Sequence, residues 1–462
     1  PANPLSLNFE VMNGDVYIDD VILSEFDSDP SGFRHSVVKI LQQLRPGYLR
    51  DWQGQLGDSL SNRMAEPFAR HPNRYRPGDA EQLYLYSLPE FFTLCAAVGA
   101  QPWVIAPPLL NDSEWLAFGK ILARAAEQYQ FREILLEFGN ENWNTIFRPA
   151  GFLGERSQAQ VSDRAFQLVR SGAGKFQQII PIVNAQFVNR ESWSRLDRQS
   201  QQAARIAVAP YFLHVMNKMS ANEAVDAAFA DLAPDVALAI QAIEKRGKKI
   251  AVYEVNFHTT AGNASGAERN AVVTGAHAGA ALAKRLLQTM LVGVREQAVY
   301  SLAGYDSFAD DRSLVRLWGV MRDLAPGQMR PTGLALAMLN SITSGTLFAS
   351  TCTPIDNPHC HKITAAWFQE RDKTHLAVVS AAAQTTRIQT NLPCHRRMTI
   401  AILDGSRSTL HNENSHSPQV FVEIPRPKCI GQWQFDLPAH SFAILTENFF
   451  IAPPSSFQES SP

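Results

Sequence analysis

Between residues 5 and 345 the chain repeats one texture: a short apolar, β-branched run, then a longer amphipathic stretch, then another short run. No other feature limits the fold as much. A strand that returns beside its predecessor through a helix must lie parallel to it. The runs LSLNFEV, GYLRDW, QPWVIAPP, EILLEFGNE, QIIPIVNAQ, IAVAPYFLH, KIAVYEVNFH and QAVYSLAGYDSF read as eight strands. SGFRHSVVKILQQL, SEWLAFGKILARAAEQY and DVALAIQAIEKRG read as helices between them. Eight such units predict an α/β protein, a closed (β/α)8 TIM barrel with some long loops. A doubly wound open sheet competes with this reading. It calls for a glycine-rich phosphate turn after its first strand, and NFEVMNGDVYIDD has none.

After residue 345 the texture changes. KITAAWFQE, THLAVVSAAA, RMTIAILDG, PQVFVEIP and SFAILTEN are short strands separated by Pro, Asn, Gly and His. They predict a C-terminal antiparallel β-sandwich. The domains are therefore expected at 1–345 (catalytic barrel) and 346–450 (β-sandwich), with 451–462, ending APPSSFQESSP, a disordered tail. Four of the five cysteines, Cys352, Cys360, Cys394 and Cys429, fall in the sandwich. Of the three pairings open to them, Cys352–Cys360 with Cys394–Cys429 would close hairpins, and disulfides imply an extracellular or periplasmic protein. The alternatives are four unpaired thiols, or a metal site of Cys352, His359, Cys360 and His361, whose spacing is not that of a structural zinc site.

The bulk numbers exclude little and invite little. Net charge is −2, with 45% hydrophobic and 19% charged residues, so no global field points to nucleic acid or a membrane surface. The most apolar long stretch, TGAHAGAALAKRLLQTMLVGV, is interrupted by Lys284 and Arg285 and reads as an amphipathic helix, so no transmembrane segment is expected. The opening PANPLSLNFEV has no basic region ahead of its apolar residues and reads as a mature or trimmed start.

A barrel of this kind does its chemistry at the C-terminal ends of its strands. Those ends carry Glu10, Arg50, Asp51, Trp52, Asn140, Glu141, Trp143, Tyr211, His214, Glu254, Asn256, His258, Tyr305 and Asp306. Glu141 and Glu254 stand out, because paired carboxylates across a pocket are what glycosidic bond cleavage needs. Asn140 is placed to bond a sugar hydroxyl and Tyr211 to orient a carboxylate. Trp52, Trp143 and Trp318 offer flat faces for sugar rings. Glu10, Asn256, His258 and Tyr305 complete the candidate substrate contacts, with no metal and no organic cofactor.

EFGNENW and YEVNFH at two strand ends resemble the signature of the clan A retaining glycoside hydrolases. They are most similar to the branch holding arabinofuranosidases, β-xylosidases and heparanase-like enzymes, in which an E-x-G-N-E string is common. SLNFEVMNGDVYIDD, YLRDWQG and RLWGVMRDLAPGQMRPTGLALAMLN resemble other segments of that branch, in the same order. The chain departs from it in RDWQGQ, where Gly-Gly is usual after the arginine, and in lacking a Trp often found near the second glutamate in arabinofuranosidases. The resemblance implies Glu141 as general acid/base and Glu254 as nucleophile of a retaining glycosidase. Its substrate would be an oligosaccharide or polysaccharide, neutral or anionic.

Plainer readings stand beside these. Glu137 shares the inward parity of Glu141 and reads as a buried structural partner of Arg50. Trp103 reads as core, and His214 and His258 more as supporting groups than as catalysts. Arg63, Arg70, His71, Arg74 and Arg76 lie in one loop at the active-site face. They would suit an anionic glycan, or else pair internally with Glu66 and Asp79. The rival functions are a non-catalytic carbohydrate-binding protein on a hydrolase-like barrel and a transglycosylase using the same residues. An aldolase would want a lysine at a strand end, and none of the candidate ends has one. Oligomeric state is not legible.

Overall fold

In the computed structural model all residues are described except 1–6, 22–28, 30, 54–58, 75–77, 79, 148–152, 154, 309–311, 323, 325–327, 354–358, 372, 395–396, 414–417 and 449–462. Seven parallel strands form one sheet in chain order: β1 (Tyr48–Arg50), β2 (Gln101–Ala106), β3 (Ile134–Phe138), β4 (Ile179–Asn184), β5 (Arg205–Val208), β6 (Lys249–Val255) and β7 (Gln297–Val299). Cα atoms of β1 and β7 come within 8 Å of one another, so the sheet curls into a nearly closed barrel. The central strands are buried on both faces, as a parallel sheet wrapped by helices requires. Inside the barrel pack Trp103, Leu135, Ile182, Ala207, Ala251 and Tyr253. The alternate positions, among them Val104, Leu136, Val183, Ile206 and Val252, face the helices.

The helices start where the sequence signals a start. Ser87 with Glu90, Asn111 with Glu114, Ser220 with Glu223 and Ser265 with Glu268 each form a reciprocal capping box. Helices Asp112–Tyr129 and Glu155–Ala173 touch backbone to backbone. A Cβ at Gly119 would lie 2.0 Å from the Val169 carbonyl oxygen, and one at Gly172 would lie 2.0 Å from that of Leu116.

The expected first strand, LSLNFEV, is not part of the barrel. Its described residues, 7–11, are exposed and without strand pairing. The reason is visible in its pattern. Leu7, Phe9 and Val11 alternate with Asn8 and Glu10, which suits a strand wet on one face and not one enclosed on both. The last expected strand, QAVYSLAGYDSF, divides in two. Gln297–Val299 is β7, and Tyr305–Phe308 (β8) turns back against Leu314–Leu317 (β9) as an antiparallel hairpin.

The C-terminal strands are β10 (Thr346–Ala349), β11 (Ile363–Glu370), β12 (Lys373–Ser380), β13 (Thr386–Pro393), β14 (Arg397–Leu403), β15 (Val422–Glu423), β16 (Lys428–Ile430), β17 (Gln432–Leu437) and β18 (Phe442–Asn448). They make a six-stranded sheet, β10-β11-β12-β18-β14-β15, and a three-stranded sheet, β13-β17-β16. Leu376, Val378, Met398, Ile400, Phe435, Leu437 and Leu445 form the core between them. Disulfides join Cys352 to Cys360 and Cys394 to Cys429, with Cα separations of 5.5 and 5.7 Å. Both thiols of the alternative metal site are therefore bonded to sulfur. Cys95 is a free, buried thiol. The segment expected as a disordered tail lies outside the described residues.

Glu413 fastens sandwich to barrel. It accepts from Arg330 Nε at 2.7 Å and Arg316 Nη1 at 2.6 Å. Among the described residues no helix is long and apolar enough to cross a membrane.

Candidate active site

Two local distortions bring the paired carboxylates to one place. At the end of β3 the chain turns through Gly139 (φ +64°) and Glu141 (φ +45°). The left-handed conformation is natural for Gly139, and the Asn142 side chain fills the space a Cβ there would need. For Glu141 it is uncommon, and buried partners hold the turn. Asn142 donates its backbone N–H to Asn184 Oδ1 (2.9 Å) and its amide to the Phe138 carbonyl (2.6 Å). On β6 the register shifts between Val252 and Val255. Strict alternation would aim Tyr253 and Glu254 at opposite faces of the sheet. The irregularity lets both act at the barrel mouth.

Arg50, rising from the end of β1, is the centre of the network. Its Nε donates to Glu137 Oε2 (2.8 Å) and Nη2 to Glu137 Oε1 (3.1 Å) and Asn140 Oδ1 (2.8 Å). Its Nη1 donates to Glu254 Oε1 at 3.0 Å. The guanidinium also lies over the Tyr253 ring, 4.9 Å from its centroid. Glu137 is fully buried and takes two further donors, Trp103 Nε1 (2.9 Å) and Asn184 Nδ2 (3.2 Å). The pairing of Arg50 with Glu137 expected from strand parity is present, and the same arginine reaches the candidate nucleophile.

Each candidate carboxylate has its own donors. Tyr211 donates to Glu254 Oε2 at 2.8 Å. Tyr253 donates to Glu141 Oε1 (3.2 Å) and Asn144 to Glu141 Oε2 (2.7 Å). Burial pushes Glu254 up to about 7, with Arg50 opposing and Glu141 reinforcing the rise. Burial also raises Glu141, while Asn144 and Tyr253 pull the other way. The two carboxyls are therefore harder to ionise than free ones, and their donors differ: Glu254 has a guanidinium and a phenol on it, Glu141 an amide and a phenol. Burial holds Tyr211 and Tyr253 well above the ordinary phenol range, which keeps both as donors.

The other candidates divide. Trp52, Tyr300, Tyr211, His258 and Trp318 form a chain of ring contacts beside Glu254, with centroids 4.9–6.3 Å apart. Asn256 turns inward and donates to the Tyr300 carbonyl (2.7 Å), a supporting contact. His258 shares its Nδ1 with His214 (2.7 Å) and Thr260 (2.7 Å), and burial with the His214 charge lowers it to about 4, so it is neutral in ordinary conditions. Trp143 is partly buried just past Glu141. Glu10 is exposed in the unpaired N-terminal stretch, because the strand that was to carry it is absent from the barrel. Tyr305 opens β8, and its side chain lies outside the described set.

The arginine-rich loop is tied internally. Arg63 is buried against Asp51 and the Tyr84 ring. Arg70 pairs with Glu90 and donates to the Tyr84 carbonyl, and Arg74 pairs with Glu81 at 3.3 Å. Among the described residues the partners are Asp51, Glu90 and Glu81, with none at Glu66, while Arg76 and Asp79 lie outside the described residues. These arginines lend no support to an anionic substrate.

Sequence reasoning missed Tyr253, Asn144, Asn184 and Tyr300. Asn144 was within reach, since a polar residue three places after a turn glutamate is well placed to bond it. Tyr253 was not, because simple alternation put it on the other face from Glu254. A separate cavity of about 740 Å³ lies at the barrel–sandwich junction, lined by Asn270, Arg316, Arg322, His411 and Glu413 among others. It contains none of Arg50, Glu141 and Glu254.

No protein-family model matches the chain, and no curated protein sequence matches it. Solved structures do. The chain resembles the α-L-arabinofuranosidase of Thermotoga maritima in its arabinose complex, with a TM-score of 0.66 at 16% identity over 91% of each chain. It resembles the family 51 arabinofuranosidase of Xanthomonas axonopodis pv. citri with a TM-score of 0.67 at 13% identity over 92% of each. A family 30 subfamily 8 xylanase from Clostridium acetobutylicum matches at 0.53 and 10% identity, over 89% of this chain and 92% of that one. These likenesses show the fold: a TIM barrel carrying a C-terminal β-sandwich.

Proposed function

We propose that the protein is a retaining glycoside hydrolase with Glu254 as nucleophile and Glu141 as general acid/base. One observation carries the reading: Glu254, buried at the end of β6, and Glu141, partly buried in the turn after β3, meet at the barrel mouth with unequal donors, and we place the shared proton on Glu141, whose donors are an amide and a phenol where Glu254 has a guanidinium and a phenol. In the first step Glu141 protonates the departing glycosidic oxygen while Glu254 attacks the anomeric carbon. Arg50 and Tyr211 hold Glu254 in line, and Tyr211 keeps its hydrogen throughout. The ester on Glu254 is then opened by water, which gives its proton back to Glu141. The arabinofuranosidase and xylanase neighbours support a carbohydrate substrate. The two disulfides favour an exported protein acting on an oligosaccharide or polysaccharide.

Two substitutions test it. Glu254→Ala should abolish turnover in a protein that still folds; wild-type rates would remove it as nucleophile. Glu141→Gln should slow glycosides with poor leaving groups far more than an activated aryl glycoside. Equal loss on both would argue against the acid/base role.

A further inference from the structure

The cavity at the barrel–sandwich junction is bounded by helix Gly266–Thr274, strand β9 and the sandwich segment 408–413. Polar contacts tie these walls together. Asn270 donates from Nδ2 to the Leu314 carbonyl (2.8 Å), and its Oδ1 accepts from the Arg316 backbone N–H (2.7 Å). Gly275 pairs with His411 in an isolated β-bridge, and a Cβ at Gly275 would lie 2.5 Å from the Ser408 carbonyl oxygen. The opening is therefore built into the fold between fixed walls.

On its lining the carboxylate, amide and imidazole acceptors are taken, while donors remain. Glu413 Oε1 accepts from Arg330 Nε (2.7 Å), and Oε2 accepts from Arg330 Nη2 (3.1 Å) and Arg316 Nη1 (2.6 Å). Arg330 is only 3% exposed, and its planar fork already spans both carboxylate oxygens and matches their charge. His411 Nδ1 accepts from the Glu413 backbone N–H (3.2 Å), which leaves the ring hydrogen on Nε2. Among the described residues, Arg316 Nε and Nη2 make no bond, and Arg322, whose Nη1 takes the Glu413 carbonyl, lines the same space. Two guanidiniums thus border a cavity whose one described carboxylate is matched by a third. Such a lining selects a ligand that brings negative acceptor oxygens. Its volume of about 740 Å³ falls within the roughly 300–1,000 Å³ of small-molecule sites, far more than a bare ion fills. Leu314 apart, the rest of the described lining is small or hydroxyl-bearing, with no Phe, Tyr or Trp, so the body that carries the anionic group is hydrophilic.

We infer that the junction cavity is a second ligand site, which takes a small hydrophilic organic anion with its carboxylate, sulfate or phosphate group held by Arg316 and Arg322. None of its lining residues belongs to the proposed catalytic machinery, so the inference stands apart from the hydrolase reading.

Calorimetric titration of the full chain at low ionic strength tests this with one sugar ring in different charge states: glucose, glucuronate, glucose 6-sulfate and glucose 6-phosphate, beside inorganic sulfate. At least one charged sugar should bind saturably with a Kd below about 1 mM, and glucose and inorganic sulfate should bind at least about tenfold more weakly. Arg316→Gln removes a charged donor and should weaken the tightest ligand about tenfold or more. Glu413 keeps Arg330 in that variant, so the junction stays clamped. Ala271→Phe, at an exposed helix position on the lining, should abolish binding by filling the cavity with every arginine in place. Thermal melts without ligand check that both variants fold. Undiminished binding in Ala271→Phe would put the ligand elsewhere and overturn the inference. Glucose binding as tightly as its charged forms would overturn the role of the arginines, and inorganic sulfate binding as tightly would make this a bare-ion site. Absence of saturable binding by every probe would overturn the site itself, with the hydrolase reading untouched.

Discussion

Arg50 and Tyr211 are the residues on which the proposed division of labour between the two glutamates depends. Both donate to Glu254, and a donor to the charged form lowers a carboxyl pKa. Removing the phenol in Tyr211→Phe should therefore raise Glu254 and move the acidic limb of the kcat/KM profile to higher pH. A hydrogen bond to a charged group predicts a displacement of about one unit, while the alkaline limb, set by Glu141, should stay in place. Movement of the alkaline limb alone would reverse the assignment. The same burial has a cost in stability. A carboxyl raised from 4.5 to about 7 in the folded protein destabilises it above the unfolded value, increasingly until pH passes the folded one. Glu254→Gln should thus stabilise the protein by about 1–3 kcal/mol at pH 8, and the gain should vanish near pH 4. Thermal melts across that range read it directly.

At the scale of elements, periodicity made the barrel's strands and helices legible in the sequence. The parallel strands from QPWVIAPP to KIAVYEVNFH are largely apolar on both faces, and their boundaries are marked by Asn, Gly and Pro, so they were readable. Capping boxes at Ser87, Asn111, Ser220 and Ser265 set the starts of four helices. LSLNFEV misled because alternation is a strand signal but not a signal for a strand enclosed on both faces. The irregularity in β6 was invisible, since nothing local in AVYEVNF announces it, and with it went the role of Tyr253. The internal pairing of Arg63 and Arg70 was likewise hidden, because Asp51 and Glu90 are brought to them only by the fold. Glu413 belongs with these long-range contacts. Glu413→Ala would leave Arg330, 3% exposed, beside Arg316 with no carboxylate between them. A cost of about 3–5 kcal/mol is expected, read as a lower unfolding midpoint. A change below about 0.5 kcal/mol, the size of an ordinary surface substitution, would mean that the clamp contributes nothing net.

For the whole molecule, the barrel places the reacting groups and the sandwich is the part held covalently. Electrospray mass analysis without reductant should give a mass four hydrogens below that of the fully reduced chain, two for each disulfide. Replacing Cys394 and Cys429, 35 residues apart in sequence, with serine should destabilise the sandwich by about 2–4 kcal/mol. A full-mass protein with four reactive thiols would contradict both bridges and the case for export. The proposed mechanism turns on Glu254 becoming covalently bound to the sugar, and peptide mapping by mass spectrometry can see that bond. The protein would be incubated with activated 2-deoxy-2-fluoro glycosides of the sugar found by aryl glycoside screening, which slow the second step more than the first. One glycosyl mass on the peptide containing Glu254, absent from Glu254→Ala, is the predicted result. An adduct on another residue, or steady turnover of the aryl glycoside to a product of inverted configuration, would contradict it.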